Sequence, residues 1–262
     1  MTSYKPVNAA MRILDVLAAV NKLKGRASVG EIHRETVIDK ATIVRMLETL
    51  IHAGYVFRED DRPYYEVTGK TLLLCSGFDR HRAVGRIVAP IMAAFRRDFG
   101  WPSDVAIFDR DAMLVVETSR EAGPMLVNRH PGYRAPILAT SLGLAYLAFA
   151  EGTQREAVRT REAGNPAAWN DMARDRKEAE RTFTDIRARG YAMMHPEYSR
   201  TEYNRQVSTI GVPILIDGAA IAAMNVLFLK RALPVETAID TLLPGLKESA
   251  AQVAVALAAG ER

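Results

Sequence analysis

The sequence has 262 residues, 48% hydrophobic and 25% charged, with a net charge of +4. This is the balance of a soluble globular protein long enough for two domains. No apolar run reaches the roughly 18 residues of a transmembrane helix, and the first residues lack the apolar core of a signal peptide. The single cysteine, Cys75, excludes an intramolecular disulfide. We therefore expect a protein of the reducing cytoplasm with no membrane partner.

Two short helices are predicted at the start of the chain. The first runs from Asn8, a candidate N-cap, to Val20, and its apolar residues recur at the spacing of one buried face. Ser28 is predicted to cap the second, because Glu31 follows at the spacing of a capping box. A basic, glycine-containing loop joins the two helices.

A third helix is predicted between an N-cap at Asp39 and a terminating Gly54. One face of it is apolar: Ile43, Met46, Leu47, Leu50 and Ile51. The opposite face is small, hydrogen-bonding or cationic: Ala41, Thr42, Arg45, Glu48, Thr49 and His52. A helix in a DNA major groove needs short side chains for close approach and an Arg that reaches guanine edges or phosphates. The alternative is an ordinary surface helix.

A β-hairpin is predicted after this helix, from strands at 55–58 and 64–67 around a polar turn. Three helices and a hairpin are the order of a winged helix-turn-helix, whose third helix reads the groove. Residues 1–58 hold nine Lys and Arg against five acidic residues, so the charge of +4 of the whole chain lies in this segment. That is the location that an electrostatic footprint on DNA requires.

The residues expected to contact DNA combine the third helix, its approach and the wing. They are Ser28, Arg34, Lys40, Thr42, Arg45, Thr49 and Arg58. Ser28, Arg34 and Arg58 are assigned to phosphates, whereas Arg45 is the candidate for a base edge.

The rest of the chain mixes helices and strands without β-α-β alternation. A linker helix with partly packed Leu72–Leu74 is predicted over 68–82. Further helices are predicted over 83–99, over 171–189 and at the carboxyl end. Another is predicted from Thr140 or Ser141 to Ala150, with Gly152 closing it. Strands are predicted over 104–108, 113–118, 124–128, 207–216 and 219–229, the last two joined at Asp217-Gly218. This order indicates an α+β fold whose antiparallel sheet is flanked by helices. The domains are then 1–67, a linker over 68–82, and 83–262.

Several stretches resemble one family. They are Arg12-Ile13-Leu14 with Leu17, the segment from Ser28 to Ile32, and the segment from Thr42 to Val56. This pattern resembles the IclR family of bacterial transcription regulators, and the resemblance covers nearly the whole chain. Residues 101–105, 111–113 and 140–149 are similar to the branch that includes the activator of hydroxyphenylpropionate catabolism. The resemblance implies a GAF-like effector-binding domain after the linker, and dimerisation through the linker and the first helix.

The effector site is predicted at the start of the helix after Thr140. A small carboxylate ligand requires backbone N–H donors at a helix N-terminus, a hydroxyl and an apolar wall, which Thr140, Ser141 and Leu142 supply. The resemblance adds four residues at the same cavity: Asn204 in a loop over it, Ile214 on a strand, and Asn225 and Leu227 on the adjacent strand.

Two interpretations of these residues stay open. Asn225 is a polar amide in an apolar strand, which is costly unless it is paired. It either faces a ligand or caps a neighbouring loop, and Thr140 either lines the pocket or only caps its helix. The apolar groups of Leu142, Ile214 and Leu227 favour an aromatic or longer acid over one of two or three carbons.

No catalytic motif accompanies these features. The sequence contains no G-x-S-x-G elbow, P-loop or H-E-x-x-H motif, and none of its five histidines has metal-ligand spacing to another His or Cys. We therefore predict no enzyme, no cofactor and no metal. The alternatives are an enzyme acting on a small carboxylic acid with an accessory winged helix, and a protein that uses its winged helix for protein contacts.

The prediction is thus a ligand-responsive transcription regulator. We expect it to bind double-stranded operator DNA as a homodimer or a dimer of dimers. We expect a small organic acid to control it, an aromatic one because of Leu142, Ile214 and Leu227. The effector, the operator and the direction of regulation do not follow from the sequence.

Overall fold

The computed structural model describes residues 5–23, 25–59, 62–75, 79–119 and 131–260, in two compact units, Met1–Asp79 and Arg80–Arg262. The α-helices are α1 (Asn8–Lys22), α2 (Val29–Thr36), α3 (Lys40–His52), α4 (Asp79–Phe99), α5 (Ser141–Phe149), α6 (Gly152–Glu162), α7 (Asp171–Arg174), α8 (Arg176–Arg189), α9 (Pro196–Tyr203) and α10 (Val235–Gly260). The strands are β1 (Arg26–Ala27), β2 (Val56–Arg58), β3 (Tyr65–Val67), β4 (Ser103–Asp109), β5 (Ala112–Thr118), β6 (Arg134–Pro136), β7 (Ala192–Met193), β8 (Val207–Ile216) and β9 (Ala219–Leu229). Two 3-10 segments, Gly69–Cys75 and Ala168–Asn170, complete the list.

The first unit is a three-helix core with a small antiparallel sheet in the order β1-β3-β2. Its buried residues come from all three helices: Val16, Leu17, Val20, Ile32, Ile43, Leu47 and Leu50. The predicted winged helix-turn-helix is therefore confirmed in its elements. Strand β1 was not predicted, because two residues are too few to display alternation.

The helix caps of this unit follow the predictions at two of three positions. Ser28 and Glu31 form the reciprocal capping box, with Ser28 N donating to Glu31 Oε2 at 2.8 Å. Asp39 accepts from the backbone N–H of Thr42 at 2.8 Å. The prediction for Asn8 is wrong: Asn8 is the first helical residue, and Val7 before it makes no side-chain cap.

The C-terminus of α3 ends as predicted, in a motif that needs a left-handed residue. Gly54 has φ of 76°, and the N–H of Tyr55 returns to the carbonyl of Leu50 at 2.9 Å. These are the features of a Schellman motif, which a residue with a Cβ would strain.

The predicted linker helix over 68–82 differs from the structure in its described first half, and residues 76–78 lie outside the described residues. A 3-10 segment, Gly69–Cys75, follows Thr68, and α4 begins at Asp79. Leu72, Leu73 and Leu74 are 73, 65 and 59% exposed, whereas partial packing was expected. Apolar exposure of this extent in one chain identifies a surface suited to a partner.

The second unit is built on an antiparallel sheet whose described strands run in the order β6-β5-β4-β9-β8-β7. Its longest pair, β8 and β9, turns at Asp217 and Gly218, both with positive φ, as the predicted Asp-Gly hairpin requires. Helices α4 and α10 cover one face, with Met92 and Leu246 in the core against Met224. Helices α5 and α8 cover the other. The predicted α+β class is confirmed, and the predicted strand over 124–128 lies outside the described residues.

Two predicted helix boundaries in this unit are wrong. Gly152 does not close α5, which ends at Phe149; it starts α6 instead, after an extended Ala150. The predicted helix over 171–189 is interrupted at Asp175, whose carboxylate caps α8 by accepting from Lys177 N and Glu178 N. Asp175 caps α8 with an extended backbone, and a residue with an extended backbone ends the helix that precedes it, here α7.

Helix α9 and the short strands β6 and β7 were not predicted. Helix α9 is polar, and its signals are only Pro196 at the first turn and His195, whose ring accepts from Glu197 N at 3.2 Å. None of the described helices is long and apolar enough to cross a bilayer.

Candidate DNA-binding surface and effector site

The outer face of α3 is the candidate DNA-reading surface. Arg45 and Thr49 are exposed on it and Thr42 is half-buried; Lys40 is also exposed, at the first position of the helix. Within the described residues, the Arg45 guanidinium forms no ion pair, so its donors are available to a ligand. Asp39 is the N-cap of this helix, and hydrogen bonds from Thr42 lower the pKa of the Asp39 carboxyl. Thr42, Arg45 and Thr49 therefore share one accessible side of the helix, whereas Lys40, at its first position, is turned away from that side.

The same side of α3 continues into α1. An open groove of about 530 Å³ is lined by Ala9, Ala10, Arg12, Ile13, Thr42, Arg45, Met46 and Thr49. Arg12 is exposed and close enough to Asp39 to contribute to lowering the pKa of that carboxyl. Sequence reasoning missed Arg12 as a candidate DNA contact, because Arg12 was considered only for the family pattern and the net charge of the first segment.

Among the predicted phosphate contacts, Ser28 is the exception. Its hydroxyl donates to Glu31 Oε2 at 2.7 Å and also accepts from the Glu31 N–H. The capping box thus occupies this hydroxyl and places a carboxylate beside it, which repels a phosphate. Arg34 and Arg58 are exposed, as a phosphate contact requires.

The wing carries a network around Arg26. Its guanidinium lies 2.8 Å from Glu59 Oε2, 3.1 Å from Glu66 Oε1 and over the ring of Tyr64 at 4.3 Å. The pKa of Glu59 is lowered, first by its hydrogen bond with Glu66 and second by its hydrogen bond with Arg26. The hydrogen bond with Glu59 raises the pKa of Glu66. The guanidinium of Arg26 is therefore occupied by contacts that join the strands of the wing.

The candidate effector site begins at the N-terminus of α5. Thr140, 2% exposed, caps the helix: its hydroxyl accepts from Gly143 N at 3.3 Å and donates to the carbonyl of Pro136 at 3.0 Å. Ser141 is fully buried, and its hydroxyl lies 2.7 Å from that of Thr209 on β8. The helix start is thus tied to the sheet by a buried pair of hydroxyls.

Two glycines let α5 approach its neighbours this closely. A Cβ on Gly211 would lie 2.4 Å from the carbonyl oxygen of Ser141, and one on Gly143 would lie 1.9 Å from that of Ile137. Both contacts are with backbone and cannot be relieved by a side-chain rotation. Sequence reasoning missed these positions, because neither glycine has the positive φ or the turn context that marks such residues.

Asn225 supplies the polar group on the sheet below. It is 1% exposed, and its Oδ1 accepts from the backbone N–H of Asp104 at 3.0 Å. Its Nδ2 is buried and has no hydrogen-bond partner among the described residues. A buried donor left unpaired costs about 1–3 kcal/mol. Because its partner is the adjacent strand β4, the alternative in which Asn225 caps a loop does not apply.

An aromatic cluster lies around Leu227, on the same face of β9 as Asn225. Tyr198 is 1% exposed and its ring meets Trp169 edge-on at 5.3 Å and Tyr203 at 6.0 Å, between centroids. The hydroxyl of Tyr198 lies 2.9 Å from that of Tyr133. These side chains give the site flat apolar walls with hydroxyl groups at their ends.

The remaining predicted site residues are not brought together. Ile214 is buried on the opposite face of the sheet with α10, because residues 210, 212 and 214 of β8 alternate with Thr209 and Gly211, which face α5. Asn204 is exposed and ends α9 with φ of 48°. Leu142 is buried in the core cluster under α5, in a different cluster from Leu227.

The described residues contain no group of three or more His, Cys, Asp or Glu side chains placed to hold a metal ion. The face of the sheet that carries Asn225 and Leu227 therefore offers hydrogen-bonding groups beside aromatic rings.

Comparisons with known proteins agree with both units. Residues 9–60 match the IclR helix-turn-helix domain, and residues 80–255 match the bacterial transcriptional regulator IclR C-terminal domain. The chain belongs to the IclR family. Members of this family are DNA-binding transcriptional regulators, so this protein is a regulator and not an enzyme. Its closer placement in the hydroxyphenylpropionate branch stays a prediction.

Among relatives of this IclR-type protein is the HTH-type transcriptional regulator TsaQ1/TsaQ2 of Comamonas testosteroni, 29% identical over 47% of the chain. That match spans 45% of the relative, less than half of its length. The Pca regulon regulatory protein of Pseudomonas putida is 24% identical over 82% of the chain and 72% of the relative.

Solved structures share the fold at lower identity. An IclR homologue from Microbacterium hydrocarbonoxydans, complexed with 4-hydroxybenzoate, has a TM-score of 0.68 at 20% identity, over 96% of this chain and 99% of that one. The Thermotoga maritima IclR has a TM-score of 0.64 at 20% identity, over 94% and 97%.

Proposed function

We propose that this IclR-type regulator binds a pseudo-palindromic operator as a homodimer, and that a small aromatic acid bound beside α5 controls its affinity for DNA. The observation that carries the effector part is the buried, unpartnered Nδ2 of Asn225 next to the N-terminus of α5 and the aromatic cluster. The DNA part rests on Arg45 of α3, which is exposed and has no ion pair with any residue that the structure describes.

A planar acid satisfies each feature of this site. Its carboxylate or hydroxyl accepts from Asn225 Nδ2, and the helix N-terminus favours its negative charge. Its ring packs against the aromatic cluster, where the perpendicular rings of Trp169 and Tyr198 allow stacking on one and an edge contact with the other. The Microbacterium hydrocarbonoxydans homologue, complexed with 4-hydroxybenzoate, supports an acid of this class.

Dimerisation is supported by the apolar surface of the first unit. Val7 at the N-cap of α1, and Met11 and Leu14 within it, recur at helical spacing and are 68, 53 and 62% exposed. The leucines at 72–74 add further exposed apolar area in the same unit. Burial of these side chains against a second copy removes them from water and pairs two α3 helices for two operator half-sites. A further association of dimers into a tetramer stays a prediction from the family resemblance.

Effector control follows if the acid binds two conformations with different affinity, since a ligand shifts an equilibrium only by that difference. We place the protein in the cytoplasm, where it meets both DNA and the acid.

The test uses the full-length protein and an operator enriched from random-sequence duplex DNA. We expect the DNA affinity to fall steeply with salt, and 4-hydroxybenzoate or a related aromatic acid to change it by about fivefold or more and to raise the melting temperature. DNA affinity that is independent of salt would contradict the DNA part. The absence of any effect across a panel of aromatic and aliphatic acids would contradict the effector part.

A further inference from the structure

A cavity lies in the unit 80–262, beside α5. It has a volume of about 330 Å³ and lies between α6 and α8, away from Asn225 and the aromatic cluster. Its floor is buried and apolar: Leu138, Leu147, Val158, Met172 and Phe183. Its rim is charged: Arg155, Glu156, Arg159, Arg176 and Glu180. An apolar floor under a few polar groups is the general composition of a small-molecule site.

Two of the rim charges neutralise each other. The Arg159 guanidinium donates to both carboxylate oxygens of Glu156, with Nε at 3.0 Å from Oε2, and also to the carbonyl of Ala173 at 3.0 Å. This hydrogen bonding to Arg159 lowers the pKa of Glu156, which keeps the pair ionised. The pair therefore forms one fixed wall of the cavity.

The other two arginines are only partly satisfied. Arg155 donates to the carbonyl of Ala150 and forms an ion pair with Glu180 at 3.7 Å, but its buried Nε has no hydrogen-bond partner among the described residues. The three arginines of the rim face two glutamates, so one positive charge is in excess. Arg176 is exposed at the start of α8 and forms no ion pair within the described part of the chain. Positive charge is thus left over at the rim.

The N-terminus of α6 adds to this positive field. Gly152, its first residue, lines the cavity, and Glu151 before it makes no side-chain cap. The first backbone N–H groups of α6 therefore donate no hydrogen bond to the side chain at the N-cap, and they lie beside two arginines.

We infer that this cavity is a second ligand site, which takes a small organic monocarboxylate with an apolar body. The carboxylate lies between Arg155 and Arg176, as a charge-assisted hydrogen-bond acceptor, and the apolar body lies on Leu147 and Phe183. The site is separate from the proposed effector site and extends the proposed function. Because Leu147 belongs to α5, a ligand here contacts the helix whose first residues form the other site.

The location is tested by co-crystallising the full-length protein with 4-bromobenzoate. We expect an anomalous bromine peak between α6 and α8, with the carboxylate toward Arg155 and Arg176. A peak only beside Asn225, or no bound bromine, would overturn the inference. The failure of the first site would instead be seen as a missing peak at Asn225, so the two proposals are distinguished in one map.

The chemistry is tested by calorimetric titration with the same probe. Arg176→Gln, an exposed substitution, is expected to weaken binding at this site at least tenfold, and Ala179→Leu, which fills the cavity, to abolish it. Arg181→Gln, an equally exposed arginine of α8 that does not line the cavity, is the matched control and is expected to bind as the unmodified protein does. Equal affinities of Arg176→Gln and Arg181→Gln, or equally tight binding of uncharged 4-bromobenzyl alcohol, would overturn the assignment of an acid.

Discussion

The side-chain oxygen of Asn225 accepts a hydrogen bond from the backbone N–H of Asp104 at 3.0 Å, across two central strands of the sheet. Both residues are fully buried, at 1 and 0% exposure. The amide nitrogen on the other side of the same group has no partner among the described residues. One half of the side chain thus holds the sheet together, and the other half is the donor to which the proposed effector binds.

Asn225→Leu is expected to remove the effector response without unfolding the protein. The substitution eliminates an unpaired donor that costs about 1–3 kcal/mol, but it also deprives the buried N–H of Asp104 of the Asn225 oxygen, at a cost of about 1–3 kcal/mol, so the two effects largely cancel. Denaturant titration should give a free energy of unfolding within about 1 kcal/mol of the unmodified protein. Calorimetry with 4-hydroxybenzoate should give no binding at this site.

The control for this prediction is Asn170, an equally buried amide whose Nδ2 donates to Glu162 at 3.0 Å. Asn170→Leu should destabilise the unit by about 1–3 kcal/mol, because the acceptor is left behind. It should leave acid affinity unchanged. If Asn225→Leu proved as destabilising as Asn170→Leu, the amide would have a structural role and not a ligand-binding one.

Arg45→Ala is expected to weaken binding to a selected operator by about 1–3 kcal/mol, which is the value of a bidentate contact to a base. Gel-shift titrations on the operator and on random DNA separate the two contact types. Arg97→Ala, an exposed arginine of α4 in the other unit, is the control and should not alter binding. Equal losses on operator and random DNA would show that Arg45 contacts a phosphate.

Gly211→Ala should destabilise the second unit by about 3 kcal/mol, at the upper end for overpacking, because the new Cβ meets the backbone of Ser141 and displaces α5. Gly164→Ala, where a Cβ meets nothing within 4 Å, should change stability by about 0.5 kcal/mol or less. Chemical denaturation of the two variants measures the difference. Similar values for both would mean that α5 does not pack against β8 as described.

Acid should loosen the first unit through its helix caps. Hydrogen bonds from Ser28 lower the pKa of Glu31, and those from Thr42 lower the pKa of Asp39. Because both are lower in the folded state, the two carboxylates stabilise the unit above their unfolded values of about 4.3 and 3.9. This contribution is lost as the pH falls through the folded values.

Hydrogen exchange of α2 and α3 peptides, corrected for intrinsic rates, measures this loss below about pH 5. The double variant Glu31→Gln with Asp39→Asn keeps the capping oxygens but not the charges, so its protection should depend less on pH. Glu48→Gln, which removes an exposed carboxylate of α3 that caps no helix, is the control. A pH profile unchanged in the double variant would refute the assignment.

Leu14→Glu is expected to convert the dimer into a monomer, because it places a charge in the exposed apolar stripe of α1. Light scattering after size exclusion gives the mass directly. Val37→Glu changes an 84% exposed valine outside the stripe and should remain dimeric. A monomeric unmodified protein, or a dimeric Leu14→Glu variant, would rule out this interface.

Much of the fold follows from local sequence. The capping box at Ser28, the cap at Asp39, Gly54 after α3 and the Asp217-Gly218 hairpin each depend on a few adjacent residues. The chemistry of a cap or a turn is complete within about four positions, so the sequence alone determined it. The same is true of the exposed face of α3, since helical spacing defines which side chains share a side.

The tertiary structure decided which residues meet. Successive side chains of β8 point to opposite faces of the sheet, which the sequence alone predicts. Only the packing of α5 onto Gly211 shows that Thr209 faces α5 and that Ile214 faces α10. The cavity between α6 and α8 likewise depends on helices that are distant in sequence from its floor at Leu138. Contacts of this kind are set by the relative placement of whole elements, and no short stretch of sequence records that placement.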